Sequence, residues 1–332
     1  MEIRRVDPDD GAAVDALSRI NIAAESLDPY PTPYSREELR EELRNIDSSV
    51  QIEAYLGYQD DRPVVAGDFA LSMSDNTDKA WLGVGVEPDL WQQGFGSAMA
   101  KFLLDLARER GRSLIMASVT YPFDADESHP YRRFVTKQGF SFSQSDVHRV
   151  LILPVESNLL DGLIMDAEPH HRDYTFAQYD GVPPAEIRDD FCVLLNQILT
   201  DAPSGEMKFE EGGMTATTLA ELYETLRQQR RTAYTTVALD TSGVPVAHSQ
   251  LVVPEYAPRK IFQWDTMVRR DHRGHRLGMA TKARNLLRVS ELHPDRTSVH
   301  TWNAESNTHM IAVNEAMGFV PVSYHGEYLR RL

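Results

Sequence analysis

The stretches VGVEPDLWQQGFGSAMAKFLLDLARERG at 84–111 and DTMVRRDHRGHRLGMATKARNLLRVSEL at 265–292 decide the fold. Each begins as a short apolar run, passes through a polar turn that contains glycine, and ends in an amphipathic helical pattern. The turn glycines Gly96 and Gly278 therefore mark the same point of a repeated unit. A strand that leads into a turn and a helix twice in one chain indicates an internal duplication.

The segments that follow the two stretches repeat as well. A β-like run at 113–120, and again at 297–302, precedes a short helical pattern that ends in Gly-Phe, at Gly139 and Gly318. The separation of these two glycines is nearly that of the two turn glycines. Two elements that recur in order at nearly one offset predict duplicated domains.

The segments before each stretch share one plan, so the predicted order in both halves is β-α-α-β-β-β-α-β-α-β. The hairpins turn at Asp60-Asp61 and at 241–243. A chain of 332 residues also exceeds what one hydrophobic core usually serves. Because Pro154 and Asp161-Gly162 interrupt the periodicity, we predict a boundary near residue 160 and domains at 1–158 and 159–332.

The composition limits the class of protein. With 42% hydrophobic and 25% charged residues the chain is an ordinary globular one, and its start has no apolar signal segment, which predicts a cytoplasmic protein. A net charge of −16 argues against binding to nucleic acid or to an anionic membrane. The acidity favours a cationic substrate, although solubility explains it equally well.

Two features that suggest chemistry have structural explanations. Cys192 is the only cysteine, and its helical, apolar surroundings predict a buried, inert thiol. His170 and His171 are adjacent in the linker without a third ligand nearby, so we predict no metal site.

The glycine-containing turn suits an anion. A strand that enters a helix through such a turn directs several backbone N–H groups, and the positive end of the helix dipole, at one point. The turns at 94–99 and 273–280 fit neither the dinucleotide fingerprint nor the phosphate loop of NTPases. They predict a site for a pyrophosphate of another kind.

The turn, the following strand and the helix ending in Gly-Phe resemble the acyl-CoA-binding core of the GCN5-related N-acetyltransferase (GNAT) superfamily. The layout of two copies is similar to that of mycothiol synthases and other two-domain acetyltransferases of actinobacteria. The resemblance implies an α/β (α+β) fold with two tandem GNAT domains, each a mixed, mostly antiparallel central sheet flanked by helices. It also implies acetyl-CoA as acyl donor, without a metal.

The resemblance carries the coenzyme-binding positions onto both turns. Trp91 stands where the family has Gln or Arg, and Arg276 replaces the first glycine of the second turn and either contacts phosphate or obstructs it. The predicted coenzyme-binding residues are, in the first half, Val84, Val86, Gln92, Gln93, Gly94, Phe95, Gly96 and Ser97, and in the second half Met267, Val268, Arg273, Gly274, His275, Arg276, Leu277, Gly278, Met279, Asn303 and Asn307.

The same resemblance places a general base three residues before the strand valine, because the attacking amine must lose a proton. In the second half this residue is Asp265, three before Val268, whereas Gly83 stands there in the first half. We therefore predict catalysis in the second domain and a non-catalytic first domain that can still bind acyl-CoA. The alternative for Asp265 is a strand-end carboxylate held by a backbone amide or an arginine.

The family tyrosine that protonates the leaving thiolate is replaced by Asn314 in the second half and by Val135 in the first. Asn314 is predicted to donate a hydrogen bond to the sulfur. Tyr324 and Tyr328 are alternative donors, although packing in a terminal strand accounts for them as well. Asn307 is a pantetheine contact, the N-cap of the last helix, or both at once.

The predicted function is acylation of a primary amine of a small molecule by direct transfer from acyl-CoA, in a monomer or homodimer. A catalytically degraded acyl-CoA sensor or scaffold is the alternative, because neither half has the tyrosine. Acylation of a protein amino group is a third possibility.

Overall fold

The computed structural model describes residues 1–156, 158–201 and 209–332. Its described residues form two compact units. Unit 1 comprises Met1–Val147 and Val322–Leu332, and unit 2 comprises residues 148–201 and 209–321. Each unit thus contains strand residues from the opposite half of the sequence, because the last strand enters unit 1 and residues 148–152 belong to unit 2.

The elements of the first half follow the predicted order. They are β1 (Glu2–Arg5), α1 (Gly11–Ala24), α2 (Arg36–Glu42), β2 (Val50–Gln59), β3 (Arg62–Ser72), β4 (Lys79–Gly85), α3 (Phe95–Glu109), β5 (Leu114–Tyr121), α4 (Pro130–Lys137) and β6 (Ser141–Ile152). Local sequence explains their ends: Asp10 caps α1 by accepting from Ala12 N at 3.0 Å, and Ser35 forms a capping box at the start of α2.

The described elements of the second half repeat this order, with one helix added before the first strand and a short one between the two helices that follow that strand. They are α5 (Leu159–Ala167), β7 (Thr175–Asp180), α6 (Ala185–Asn196), α7 (Ile198–Asp201), α8 (Ala216–Gln228), β8 (Arg231–Leu239), β9 (Pro245–Pro254), β10 (Lys260–Val268), α9 (Leu277–Leu292), β11 (Ser298–Ala304), α10 (Thr308–Ala316) and β12 (Val320–Arg331). Short 3₁₀ turns lie at Pro88–Leu90, Glu168–His170 and Arg270–His272.

Unit 1 has an antiparallel run β1-β2-β3-β4, followed by β5 and β12. The pair β4–β5 is parallel, and its pairing covers only Lys79–Trp81 against Leu114–Met116. Beyond Trp81 the two strands continue without pairing to each other, while β5 pairs with β12 along its whole length. The sheet of unit 1 therefore opens between two neighbouring parallel strands.

Unit 2 has the same arrangement, with an antiparallel run β7-β8-β9-β10 and a parallel pair β10–β11. The parallel pairing is again short, Lys260–Phe262 against Ser298–His300. Unlike β4, whose register with β3 is unbroken, β10 shifts its register with β9 between Gln263 and Thr266. One extra residue on β10 forms a β-bulge at this place.

Helices cover the sheets, and apolar side chains fill the space between them. In unit 1, α1 packs on β2, β3 and β4, and α3 packs on β3 and β4. In unit 2, α6 packs on β9 and β10, and α9 packs on β8, β9 and β10. The predicted arrangement, two units each with a mixed, mostly antiparallel sheet flanked by helices, is confirmed.

The sequence analysis missed α5, which spans the Asp161-Gly162 pair read as an interruption. Leu160 of this helix is buried in the core of unit 2, with Leu163 and Ile164 packed against the same cluster. The apolar stripe thus outweighs the poor helix propensity of Gly162.

Cys192 is a buried free thiol as predicted, and burial raises its pKa to about 11. No helix in the described ranges is both long and apolar enough to cross a bilayer.

Candidate functional site

Both repeated turns place free backbone donors at the start of a long helix. The N-cap residues Gly94 and Arg276 adopt left-handed backbone angles, with φ of 90° and 52°. The first helical bonds run from Ala98 N to Gly94 O and from Ala280 N to Arg276 O, both at 3.0 Å. The N–H groups of the preceding three residues in each helix point out of its end, which is the arrangement that binds phosphate groups.

Trp91 and Arg273 occupy equivalent positions and make the same hydrogen bond. The indole Nε1 of Trp91 donates to the carbonyl oxygen of Val86 at 2.8 Å, and Nε of Arg273 donates to that of Val268 at 3.3 Å. The tryptophan, which departs from the family pattern, thus fixes the turn to the strand end as the arginine does.

The glycines of the first turn serve two purposes. A side chain at Gly94 would meet nothing within 4 Å, so glycine is favoured there by its positive φ alone. A Cβ atom at Gly96 would lie 3.1 Å from the ring of Phe134 and 3.4 Å from Val86. Gly96 therefore permits close packing of α3 against α4 and the end of β4.

The side chains of the second turn are held by other residues of unit 2. Arg276 donates to the carbonyl of Asp166 at 3.0 Å, and His275 contacts that of His170 at 3.1 Å. Arg273 pairs with Asp201 at 2.7 Å. The side chains of this turn are thus hydrogen-bonded within unit 2, and the backbone N–H groups at the start of α9 remain directed out of the helix end.

Asp265 lies within the bulge of β10, just past the last residue that pairs with β11. Its side chain is solvent-exposed, yet the protein around the carboxyl group desolvates it and raises its pKa. The described part of the chain has no arginine or lysine within salt-bridge distance of Asp265, which removes the ion-pair alternative for its role. Asp265 thus lies on the part of β10 that has no partner on β11.

The face of the sheet that carries Asp265 is lined by polar groups from α8 and β9. Gln250 donates to the hydroxyl of Tyr223 at 2.6 Å and to that of Thr235 at 3.0 Å. Burial raises the pKa of Tyr223, its hydrogen bonds with Thr235 and Gln250 oppose this rise, and the negative charge of Asp265 adds to it. A cleft of about 590 Å³ lies beside the turn, lined by Val193, Gln197, Asp201, Glu211, Arg269, Arg270 and Asp271.

A buried lysine underlies the candidate thiolate site. Lys282 on α9 is 1% exposed, and its Nζ donates to Oδ1 of Asn314 at 2.5 Å. Nδ2 of Asn314 in turn donates to Oδ1 of Asn303 at 2.5 Å. Burial lowers the pKa of Lys282 to about 7, so the lysine amine at the base of this hydrogen-bonded chain titrates near neutrality.

Sequence reasoning missed Lys282, although a signal was present. The residue is four positions after Gly278, on the helix face that also buries Asn285 and Val289. A lysine on the buried face of an amphipathic helix is unusual without a partner. Asn314 is fully buried and engaged at both side-chain atoms, so the partly exposed Asn303 is the member of the network nearest to solvent.

The other predicted residues lie where the sequence placed them on the elements. Asn307 caps α10 by accepting from Met310 N at 3.2 Å, which confirms the structural alternative given for it. Gln93 donates to the carbonyl of Asp89 at 3.3 Å, and the hydroxyl of Ser97 accepts from Gln138 at 3.1 Å. The described residues contain no cluster of three or more histidine, cysteine, aspartate and glutamate side chains suited to a metal ion.

Each unit thus has two parallel strands that part beside a helix start, on a mostly antiparallel sheet. The acetyltransferase (GNAT) family model matches residues 20–140. No curated protein matches the sequence. The match to this family model thus lies within the first half of the chain, and the likeness of the whole chain to a tandem GNAT structure is one of fold.

Solved structures share this fold over the whole chain. A tandem GNAT protein from the clavulanic acid biosynthesis pathway, solved without acetyl-CoA, has a TM-score of 0.82 and 23% identity, with 99% of this chain and 98% of that chain covered. A GCN5-related N-acetyltransferase from Sphaerobacter thermophilus has a TM-score of 0.66 and 15% identity, covering 99% and 95%. A glucosamine N-acetyltransferase region of a fungal multi-domain β-N-acetylglucosaminidase has a TM-score of 0.64 and 15% identity, covering 98% and 38%.

Proposed function

We propose that this protein is an acyl-CoA-dependent N-acyltransferase that moves an acetyl or other short acyl group to a primary amine of a small molecule. The observation that carries the proposal is the position of Asp265. It stands on the bulge of β10, where β10 and β11 part, and the same strand leads into the turn before α9.

The donor is bound by backbone groups. The N–H groups of Leu277, Gly278 and Met279 at the start of α9 receive the pyrophosphate of coenzyme A. The pantetheine arm enters the opening beyond Phe262, where the edge of β10 has no partner on β11. Asn303, held by Asn314, borders the same opening from the end of β11.

Transfer proceeds by direct attack. The amine nitrogen bonds to the thioester carbonyl carbon while Asp265 accepts a proton from the nitrogen. A backbone N–H near Met267 or Val268 stabilises the oxyanion, after which the carbon–sulfur bond breaks. Coenzyme A leaves as a thiolate, and the side-chain amide of Asn303, held in place by Asn314 and Lys282, donates a hydrogen bond to the sulfur.

The net charge of the chain and the volume of the cleft in unit 2 support a small-molecule amine as the acceptor. A chain of net charge −16 attracts cationic amines, and the cleft of about 590 Å³ in unit 2 has the size of a small-molecule site. The structurally similar fungal region is a glucosamine N-acetyltransferase, which modifies a small amine. These observations support a small-molecule acceptor over a protein amino group.

A second candidate function, binding of acyl-CoA without turnover, is favoured by the side chains at the position of the family tyrosine. Neither Val135 nor Asn314 can replace the family tyrosine as an acid.

Release of coenzyme A from acetyl-CoA across a panel of amino acids, polyamines and amino sugars distinguishes the two functions. We expect turnover with at least one amine, and a 10²- to 10⁴-fold loss of kcat for an acceptor of unit 2 in Asp265→Asn. Asp295→Asn, which removes an exposed acid of unit 2, is the matched control. Acetyl-CoA binding without turnover of any amine would establish the binding protein instead.

A further inference from the structure

Unit 1 has a carboxylate beside the position where it lacks the family acid. Asp68 on β3 pairs in register with Gly83 on β4. A Cβ atom at Gly83 would lie 3.3 Å from Oδ2 of Asp68, so the carboxylate occupies the space that a side chain at position 83 would need. The absence of an acid on β4 is therefore offset by an acid on the neighbouring strand.

The strand registers of the two units show which positions of their third and fourth strands are equivalent. Gly67 pairs with Val84 as Ser249 pairs with Thr266, so the next residue of each strand, Asp68 and Gln250, is equivalent. Gly83 is opposite Asp68, while the bulge with Asp265 is opposite Gln250. Unit 1 thus has the acid on its third strand and glycine on its fourth, and unit 2 has an amide on the third and the acid on the fourth.

The surroundings of Asp68 form a small polar site on the α1 side of the sheet. Asn21 of α1 hydrogen-bonds to the carboxyl group of Asp68. A Cβ atom at Gly85 would lie 3.2 Å from Oδ1 of Asn21 and 3.2 Å from Ala24. Gly83 and Gly85, on one face of β4, thus leave room for the side chains of Asp68 and Asn21, respectively.

No salt bridge in the described ranges involves Asp68. Burial raises the pKa of Asp68 to about 6, and the bond from Asn21 opposes this rise. A half-buried carboxylate without a cation costs stability, which is typical of groups kept for chemistry. The group is ionised at neutral pH and can accept a proton there.

We propose that unit 1 is a second acyl-transfer site, in which Asp68 accepts the proton of an amine that attacks a thioester held between β4 and β5. The proposal rests on the acyl-CoA dependence proposed above. The nitrogen–carbon bond forms, the carbon–sulfur bond breaks, the proton passes to Asp68, and coenzyme A leaves as a thiolate that takes a proton from water.

The opening of unit 1 supports this reading. β4 and β5 stop pairing at Trp81 and Met116, two residues before Gly83 on β4. The Gly94–Gly96 turn and the start of α3 follow directly after β4, as in unit 2. The elements that are proposed to bind the acyl donor and the carboxylate of Asp68 therefore lie in the same unit. The proposed site requires no residue of the other unit.

The test compares the full chain with Asp68→Asn, Asp265→Asn and the double variant, each with acetyl-CoA and the same panel of amines. We expect Asp265→Asn to retain amine-dependent release of coenzyme A, and the addition of Asp68→Asn to lower it by 10²- to 10⁴-fold. Asp61→Asn, which removes a 95% exposed acid of unit 1, should leave it unchanged.

Asn21→Ala in the Asp265→Asn background gives a second readout, which does not depend on a large loss of activity. Removal of this bond should raise the pKa of Asp68, so the acid limb of the pH–rate profile should move to higher pH. Thermal unfolding of each variant separates loss of activity from loss of folding.

Three outcomes are distinguishable. Residual turnover that depends on Asp68 supports the second site. Turnover in the wild type that Asp265→Asn abolishes, and that Asp68→Asn leaves at the wild-type rate, would overturn it while preserving the proposed function. Absence of turnover with any amine in the wild type would overturn both.

Discussion

The two units share a frame and differ in the side chains that fill it. Both open between a pair of parallel strands, and both lead from the first of these strands into a helix with exposed N–H groups. Unit 1 has the glycine turn and a regular β4, whereas unit 2 has Arg276 in the turn and a bulge in β10. The backbone thus preserves the opening, while the source of the acid changes from one strand to the next.

The helix after the turn differs in a second way. Lys282 and Asn314 form a buried polar pair in unit 2, and the equivalent residues of unit 1, Ala100 and Val135, are buried and apolar. A buried polar pair stabilises the fold less than an apolar pair does, unless all of its polar groups are hydrogen-bonded. The Lys282–Asn314 pair therefore indicates a role in unit 2 beyond packing.

Replacement of Lys282 by Met should give the largest change in stability. The pKa of Lys282 is lowered to about 7 in the folded protein and returns to its ordinary value on unfolding. Between these two values the unfolded state binds the extra proton, so stability rises with pH, by up to about 1.4 kcal/mol per pH unit. Lys282→Met should lack this rise.

The measurement is urea unfolding of both proteins from pH 7 to pH 10, with Lys101→Met as a control because the Lys101 side chain is 79% exposed. The unfolding free energy of the wild type minus that of Lys282→Met should rise with pH. A constant difference would mean that Lys282 is charged throughout this range and that its pKa is not lowered in the folded protein.

Gly94→Ala tests the turn of unit 1 against a matched glycine. Gly94 and Gly111 both have positive φ, at 90° and 70°, and both face open space, but only Gly94 lies at the start of α3. Each replacement should cost roughly 1 kcal/mol through backbone strain. Calorimetry should show weaker acetyl-CoA binding by unit 1 in Gly94→Ala alone; equal affinities in the two variants would place the coenzyme away from this turn.

The smallest expected effect concerns the hydrogen bond from Trp91 to the carbonyl of Val86, which is equivalent to the bond from Arg273 to Val268 in unit 2. Trp91→Phe keeps an aromatic ring against Tyr131, 6.1 Å away, and removes the donor to Val86. One hydrogen bond contributes about 1 kcal/mol. Chemical unfolding should detect this loss, and unchanged stability would show that packing alone holds the turn in unit 1.

The order of elements and the position of Asp265 could be predicted because they depend on periodicity and on a short motif. The exchange of strand residues between the halves could not, because pairing partners are set by tertiary contacts. Asp68 was hidden for a related reason: its role depends on the residue opposite it across the sheet, which the linear sequence does not reveal. Lys282 was visible as a misplaced charge, but its partner Asn314 becomes a neighbour only in the fold.

The central claim is that each unit receives acyl-CoA in its own strand opening, next to its own carboxylate. Crystals grown with acetyl-CoA test this most directly. We predict electron density for the pyrophosphate at the starts of α3 and α9, with one thioester near Asp68 and Gly83 and the other near Asp265. Acetyl-CoA bound away from both openings, or with its thioester remote from both carboxylates, would contradict the account.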